Sequence, residues 1–188
     1  DESTCANAAC RGNLKVLEWA RSCGCPWNTE TFECAIMSVN RAVIQYCIEN
    51  NCPMENVAKF VFNRVDTLSI LKILQKNGYT FTHEFCTEAA EKNDIKALRW
   101  LRYIGCPWDI HHICNEAVLW DSYDALVYAH KNGCTLTKET YAFCFGGDGL
   151  AGQYEEIPSE HICPDEILEY LETNNCPQPD PHDWTIIH

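Results

Sequence analysis

Apolar residues recur along this chain in short stripes of helical spacing. Val16, Leu17, Trp19 and Ala20 are matched by Val43, Ile44, Tyr46 and Cys47, then by Ile70, Leu71, Ile73 and Leu74. Three further copies follow: Ala97, Leu98, Trp100 and Leu101; Ala125, Leu126, Tyr128 and Ala129; Ile167, Leu168, Tyr170 and Leu171. This spacing lines one face of a helix and predicts six helices, each with that face buried. A second, shorter helix is expected before each. Its equivalent positions are Ala8, Ala35, Phe62, Ala89, Ala117 and Cys144, mostly small, which lets two helices approach closely.

Start and stop signals bracket each long helix. Gly24, Asn51, Gly78, Gly105, Gly133 and Asn175 stand at the stops, each followed by Cys or, once, Tyr79. Gly and Asn accept the left-handed conformation that ends a helix. Eleven positions upstream of the first five stops lie Asn13, Asn40, Thr67, Asp94 and Ser122, all residues whose side chains can cap a helix start. In the sixth copy Pro164 takes that place, still a legitimate helix start.

The stops repeat at steps of 27, 27, 27, 28 and 42 residues. A regular period marks a chain of supersecondary units too small to hide their apolar faces alone, so neighbours must stack. The unit bounds are 1–27, 28–54, 55–81, 82–108, 109–136 and 137–178, within a single domain of 1–188. The sixth unit carries a Gly-rich, acidic insertion near 146–163, read as a surface loop between its two helices. Residues 179–188 are expected as an extended tail.

The string Ala8-Ala9-Cys10-Arg11-Gly12-Asn13-Leu14-Lys15-Val16-Leu17-Glu18-Trp19-Ala20, closing with Gly24-Cys25-Pro26-Trp27, resembles a divergent ankyrin-repeat family with repeats near 27 residues, of the kind found in protists and large DNA viruses. Ala89-Ala90 through Leu98-Arg99-Trp100-Leu101 to Gly105-Cys106-Pro107-Trp108 matches again. The resemblance implies an all-α fold: an ankyrin-like α-solenoid of about six stacked helix-turn-helix repeats. Ordinary ankyrin units run to about 33 residues and open on Thr-Pro-Leu-His. The shorter unit implies shortened or absent β-hairpin fingers. It also moves the expected contact face to the row of first helices. It implies protein binding, as a scaffold or the targeting part of a larger polypeptide, and no catalysis.

Composition narrows the function further. Apolar residues make up 46% and charged residues 22%, enough for a packed core. The net charge of −13 is uneven: residues 139–188 hold eleven acidic and no basic side chains. Nucleic acid is an unsuitable partner for such a chain, whereas a basic protein partner suits the acidic C-terminal end. No apolar run is long enough to span a membrane. The start at Asp1 reads as an excised segment of a longer polypeptide.

Fourteen cysteines are present. Five, Cys25, Cys52, Cys106, Cys134 and Cys176, occupy the repeat's own position and are expected as small, buried, reduced residues. Reduced thiols favour an intracellular, cytoplasmic setting, with nuclear or virion-associated settings as alternatives. Cys23 with Cys25, His111 with Cys114, and His161 with Cys163 are the nearest approaches to metal ligands, and none reaches the spacing of a structural zinc site. No phosphate loop, nucleophile elbow or zinc-protease motif occurs, so no catalytic residue, cofactor or metal is assigned.

Trp27 and Trp108 share a register with Met54, Phe81 and Leu136, which predicts packing. Trp120 matches Arg11, Ser38, Val65 and Lys92 instead, so it reads as a contact residue at an exposed turn. Non-repeating positions on the first helices complete the candidate contact set: Phe60, Arg64, Thr87, Glu91, Asn115 and Trp120. A fixed subunit of a large assembly, such as a capsid or organelle complex, is the alternative to a free scaffold.

Overall fold

The structure is a computed structural model describing residues 1–64, 66–145 and 162–179. It is all-α, with no strand among the described residues. Most of the expected insertion near 146–163, and all but the first residue of the tail 179–188, lie outside the described residues. The chain divides into two compact units, Asp1–Phe81 and Thr82–His188. The division falls on an expected repeat boundary.

The first unit holds α1 (Glu2–Cys10), α2 (Leu14–Ser22), α3 (Thr29–Ser38), α4 (Arg41–Glu49), α5 (Val57–Phe62) and α6 (Thr67–Lys76). α1 packs on α2, α3 on α4 and α5 on α6, while α1 lies along α3 and α2 along α4. The second unit holds α7 (Glu84–Glu91), α8 (Ile95–Tyr103), α9 (Ile113–Leu119), α10 (Tyr123–Lys131), α11 (Lys138–Phe143) and α12 (Asp165–Thr173). Here α7 pairs with α8 and α9 with α10. α9 lies between α7 and α11, and α10 lies against α8.

The stops behave as their residue types require. Gly24, Asn51, Gly78, Gly105, Gly133 and Asn175 all have positive φ, from 54 to 94°. In every copy the next residue's N–H reaches back five residues to a helix carbonyl: Cys25 to Ala20, Cys52 to Cys47, Tyr79 to Leu74, Cys106 to Leu101, Cys134 to Ala129 and Cys176 to Leu171, at 2.9–3.1 Å. This is the Schellman closure, which satisfies carbonyls the helix end leaves bare. The cysteine's sulfur is used as well. Cys106 and Cys176 donate their thiols to the Thr82 and Thr137 carbonyls at 3.3 Å, tying the end of each pair to the segment that opens it.

A second left-handed turn, unmarked in the sequence reading, joins the helices of a pair. Gly12, Val39, Asn93 and Asp121 occupy it with φ between 50 and 62°. Beyond it, Asn13, Asn40 and Asp94 cap α2, α4 and α8 as expected. Two expected caps act otherwise. Thr67 lies inside α6 and donates its hydroxyl to the Arg64 carbonyl at 2.9 Å. Ser122 sits at the cap of α10, but its hydroxyl goes to the Glu91 carbonyl at 3.0 Å. The Ala125 N–H of α10 is met instead by Asn93 Oδ1 at 3.0 Å, so the preceding pair caps this helix.

The apolar stripe is narrower than predicted. Leu17, Ile44, Leu71, Leu98 and Leu126 are sealed, as are Ala20, Cys47, Leu74, Leu101, Ala129 and Leu171. The aromatic-rich position is only half-buried at Tyr46, Trp100, Tyr128 and Tyr170. In the first copy Trp19 is 62% and Val16 41% exposed, which corrects their assignment to a buried face. The side that Val43 turns inward is bare at Val16.

Cys10 and Cys34 are joined by a disulfide between α1 and α3, with Cα atoms 4.3 Å apart. This corrects the expectation of wholly reduced cysteines. The two residues lie outside the repeat's cysteine register, at facing positions of adjacent first helices. The other twelve cysteines are free.

A candidate interaction surface on the first helices of the second unit

The candidate contact residues fall in both units, and each group is taken by itself. In the first unit Phe60 is half-buried on α5. Arg64, just beyond α5, is half-buried and pairs with Asp66 at 3.3 Å.

In the second unit Thr87 and Glu91 stand one turn apart on α7, both half-buried. The Thr87 hydroxyl bonds back to the His83 carbonyl at 3.4 Å. Asn115 is only 4% exposed. Its side-chain oxygen accepts the Thr140 hydroxyl, and its amide lies 3.5 Å from Glu139 Oε2. A side chain so enclosed presents nothing to a partner, so Asn115 leaves the contact set. It holds α9 to α11 instead.

Trp120, the C-cap of α9, is half-buried rather than fully exposed. Its indole N–H donates to Glu116 Oε2 at 3.3 Å, and Lys92 Nζ lies 5.8 Å from the ring centroid. The other Glu116 oxygen pairs with His112 Nε2 at 2.8 Å, one turn earlier on the same helix. Glu116 itself is 3% exposed, so these donors compensate a carboxylate taken out of water. The hydrogen bond to Glu116 raises the His112 pKa above its ordinary value against the opposing effect of burial, and the charges of Glu116, Asp109 and Glu91 add to it. Glu91, Lys92, His112, Glu116 and Trp120 thus form one polar and aromatic cluster where α7 meets α9. Of the residues singled out from sequence, Glu91 and Trp120 come together here. Lys92, His112 and Glu116 were missed, because their significance is lateral, across helices, rather than along the repeat.

Trp27 and Trp108 pack as their register predicts. The Arg21 and Arg102 guanidinium groups lie 4.2 Å from their ring centroids. Tyr46 and Tyr128 meet the same rings edge-on at 5.9 and 6.4 Å. Both arginines also donate to the carbonyl of the repeat cysteine, Cys25 or Cys106. The device recurs in the two copies that resemble each other most.

Among the described residues, no group of three or more His, Cys, Asp or Glu side chains could hold a metal ion. His111 Nδ1 lies 3.1 Å from Thr135 Oγ1, while Cys114 is fully buried. His161 lies outside the described residues. No helix among the described residues is long and apolar enough to cross a membrane.

The class that the fold defines is an all-α protein of paired helices. A scan against models of known protein families finds no match, and neither does a comparison with curated proteins.

Proposed function

We propose that this protein is an ankyrin-like repeat scaffold that holds a protein partner on the first helices of its second unit. The observation that carries this reading is the α7–α9 cluster. It joins a half-buried Trp120 to charged groups at positions that differ from copy to copy, on a framework whose remaining positions repeat. Repeated positions are accounted for by packing and helix closure. Non-repeating aromatic and charged positions are where specificity belongs. Thr87 remains a secondary contact on the same unit, and the acidic C-terminal end suits a partner with basic groups. The twelve free cysteines support an intracellular setting, and the Cys10–Cys34 bridge weighs against it.

The test is affinity capture from the native source with wild type, Trp120→Ala, Glu91→Ala and the control Glu49→Ala. A partner kept by the control and lost by the first two supports the reading. Equal capture by all four proteins refutes this surface.

Exposed Trp19 and Val16 on α2 favour a second reading, a fixed subunit of a large assembly. A Trp19→Lys, Val16→Lys variant separates the two. If the purified wild type self-associates and the variant runs as a monomer, the assembly reading is preferred. A monomeric wild type refutes it.

A further inference from the structure

The second helices of the second unit carry charges that the fold leaves unused. α8 bears Lys96, Arg99 and Arg102 and no acidic residue, in a chain whose net charge is −13. Arg102 is taken up by the Trp108 ring and the Cys106 carbonyl. Arg99 reaches across to α10, where its guanidinium lies 5.6 Å from the Tyr128 ring centroid. A ring covers the flat side of a guanidinium and leaves its N–H edge open to an acceptor. Among the described residues the side chains of Arg99, Lys131 and Asp124 take part in no ion pair or hydrogen bond.

All three groups border one cleft between α8 and α10. Its volume is about 400 Å³, which falls in the range of about 300–1,000 Å³ common to ligand pockets. Half-buried Ile95, Val127 and Tyr128 make its apolar floor, and Arg99, Asp124 and Lys131 stand exposed around them. Asn132 closes the end next to Lys131, with its amide donating to the Tyr128 carbonyl at 2.7 Å. Helical spacing orders the charges. Arg99 stands level with Tyr128; Lys131 lies one turn further along α10 and Asp124 one turn back. The cleft is therefore positive from its middle to one end and negative at the other. Ile95 and Arg99 stand one turn apart on α8, and Tyr103, 88% exposed, continues that row by another turn.

We propose that this cleft is a second binding site, for an extended peptide segment of a protein partner, with an acidic side chain held between Arg99 and Lys131 and a basic one on Asp124. Asp124 and Lys131 are seven residues apart on α10, a separation of about 10 Å at about 1.5 Å per residue. An extended chain covers that length in about three residues, at about 3.3 Å each. Apolar side chains between the two charges rest on Ile95, Val127 and Tyr128. The carboxylate takes the open edge of Arg99, a geometry that favours paired N–H bonds, and Lys131 adds a mobile point charge. Asp124 repels a bare anion, so a segment of mixed charge suits the cleft better than free phosphate does. Exposed Tyr103 extends the surface with a residue type that interfaces favour. The site lies on second helices, whereas the α7–α9 cluster lies on first helices, and neither depends on the other.

The experiment titrates the isotope-labelled full chain with the capped peptide acetyl-Lys-Val-Leu-Glu-amide and follows backbone amide shifts by NMR. The expected result is saturable shifts confined to α8 and α10. Replacing the peptide's Glu by Gln, or Arg99→Gln in the protein, should weaken binding at least about tenfold. Lys59→Gln, a charge control in the first unit, should bind as wild type does. Arg99→Glu should prefer a peptide with Lys in place of Glu over the original one. Equal affinity for the Glu and Gln peptides, unchanged binding by Arg99→Gln, inorganic phosphate binding in the cleft as tightly as the peptide, or no saturable shift in α8 and α10 would overturn the proposal. Should an Arg99 variant fail to fold, the peptide series on the wild type decides alone.

Discussion

Replacing Gly12 and Gly24 by alanine, one at a time, tests how the first helix pair is held. Both glycines lie in the first unit with positive φ, 62° and 76°. A left-handed residue carrying a Cβ costs about 1–2 kcal/mol. Alanine's smaller unfolded-state entropy returns about 0.4–1 kcal/mol. At Gly24 nothing lies within 4 Å of an added Cβ, so the net loss should be about 1 kcal/mol. At Gly12 the new Cβ would stand 3.1 Å from Asn40 Nδ2 and 3.3 Å from Asn40 Cβ. Asn40 has little freedom to yield. Its amide donates to the Gly12 carbonyl at 2.9 Å, and its oxygen accepts the Ala42 and Val43 N–H groups that start α4. Displacing it forfeits a cap, worth about 1 kcal/mol, and an inter-pair hydrogen bond of similar size. Gly12→Ala should therefore cost about 3 kcal/mol in all. The assay is urea denaturation of both variants with the Cys10–Cys34 bridge intact, followed by fluorescence and circular dichroism. An Asn40→Gly background, which removes the Asn40 Cβ as well as its amide, should bring the Gly12→Ala cost down to the Gly24→Ala value. Equal losses for the two single variants, or an unchanged Gly12→Ala cost without Asn40, would refute the reasoning.

Three further outcomes are expected. Leu98→Ala, at a fully buried position of α8, should lower stability by about 2–5 kcal/mol in the same assay. Asn115→Ala leaves the buried Thr140 hydroxyl without one of its partners and should cost about 1–3 kcal/mol, while partner capture by the folded variant stays unchanged. The His112–Glu116 pair should make stability pH-dependent. Because the folded-state pKa of His112 is raised, its contribution is fully present below the ordinary value of 6.5 and fades as pH rises through the folded value. Thermal midpoints of wild type and His112→Gln, measured from about pH 5.5 to 9, should differ most at the acidic end; a constant difference would contradict this.

The parts that were legible in the sequence are local ones. Gly24, Asn51 and their equivalents end their helices because the left-handed conformation is a property of the residue itself. Asn13, Asn40 and Asp94 cap because the bond spans only three residues. Ser122 has the same chemistry but lies beside the Glu91 carbonyl, and only the packed neighbour reveals that competing acceptor. Asn93 stands far from α10 in the chain, so its capping of Ala125 had no sequence signal. The candidate contact residues divide similarly: variation between copies pointed to Glu91 and Trp120, but equally to Asn115, which the structure seals.

By itself the sequence determined that the chain makes paired helices, where each ends, and which leucines and small residues face inward, since propensity and periodicity act within a few residues. Tertiary structure decided how wide the buried stripe is, the joining of Cys10 to Cys34, the division at Phe81, and the meeting of Lys92, His112, Glu116 and Trp120. Those outcomes depend on distances between residues on different helices, and such distances exist only once the helices have packed.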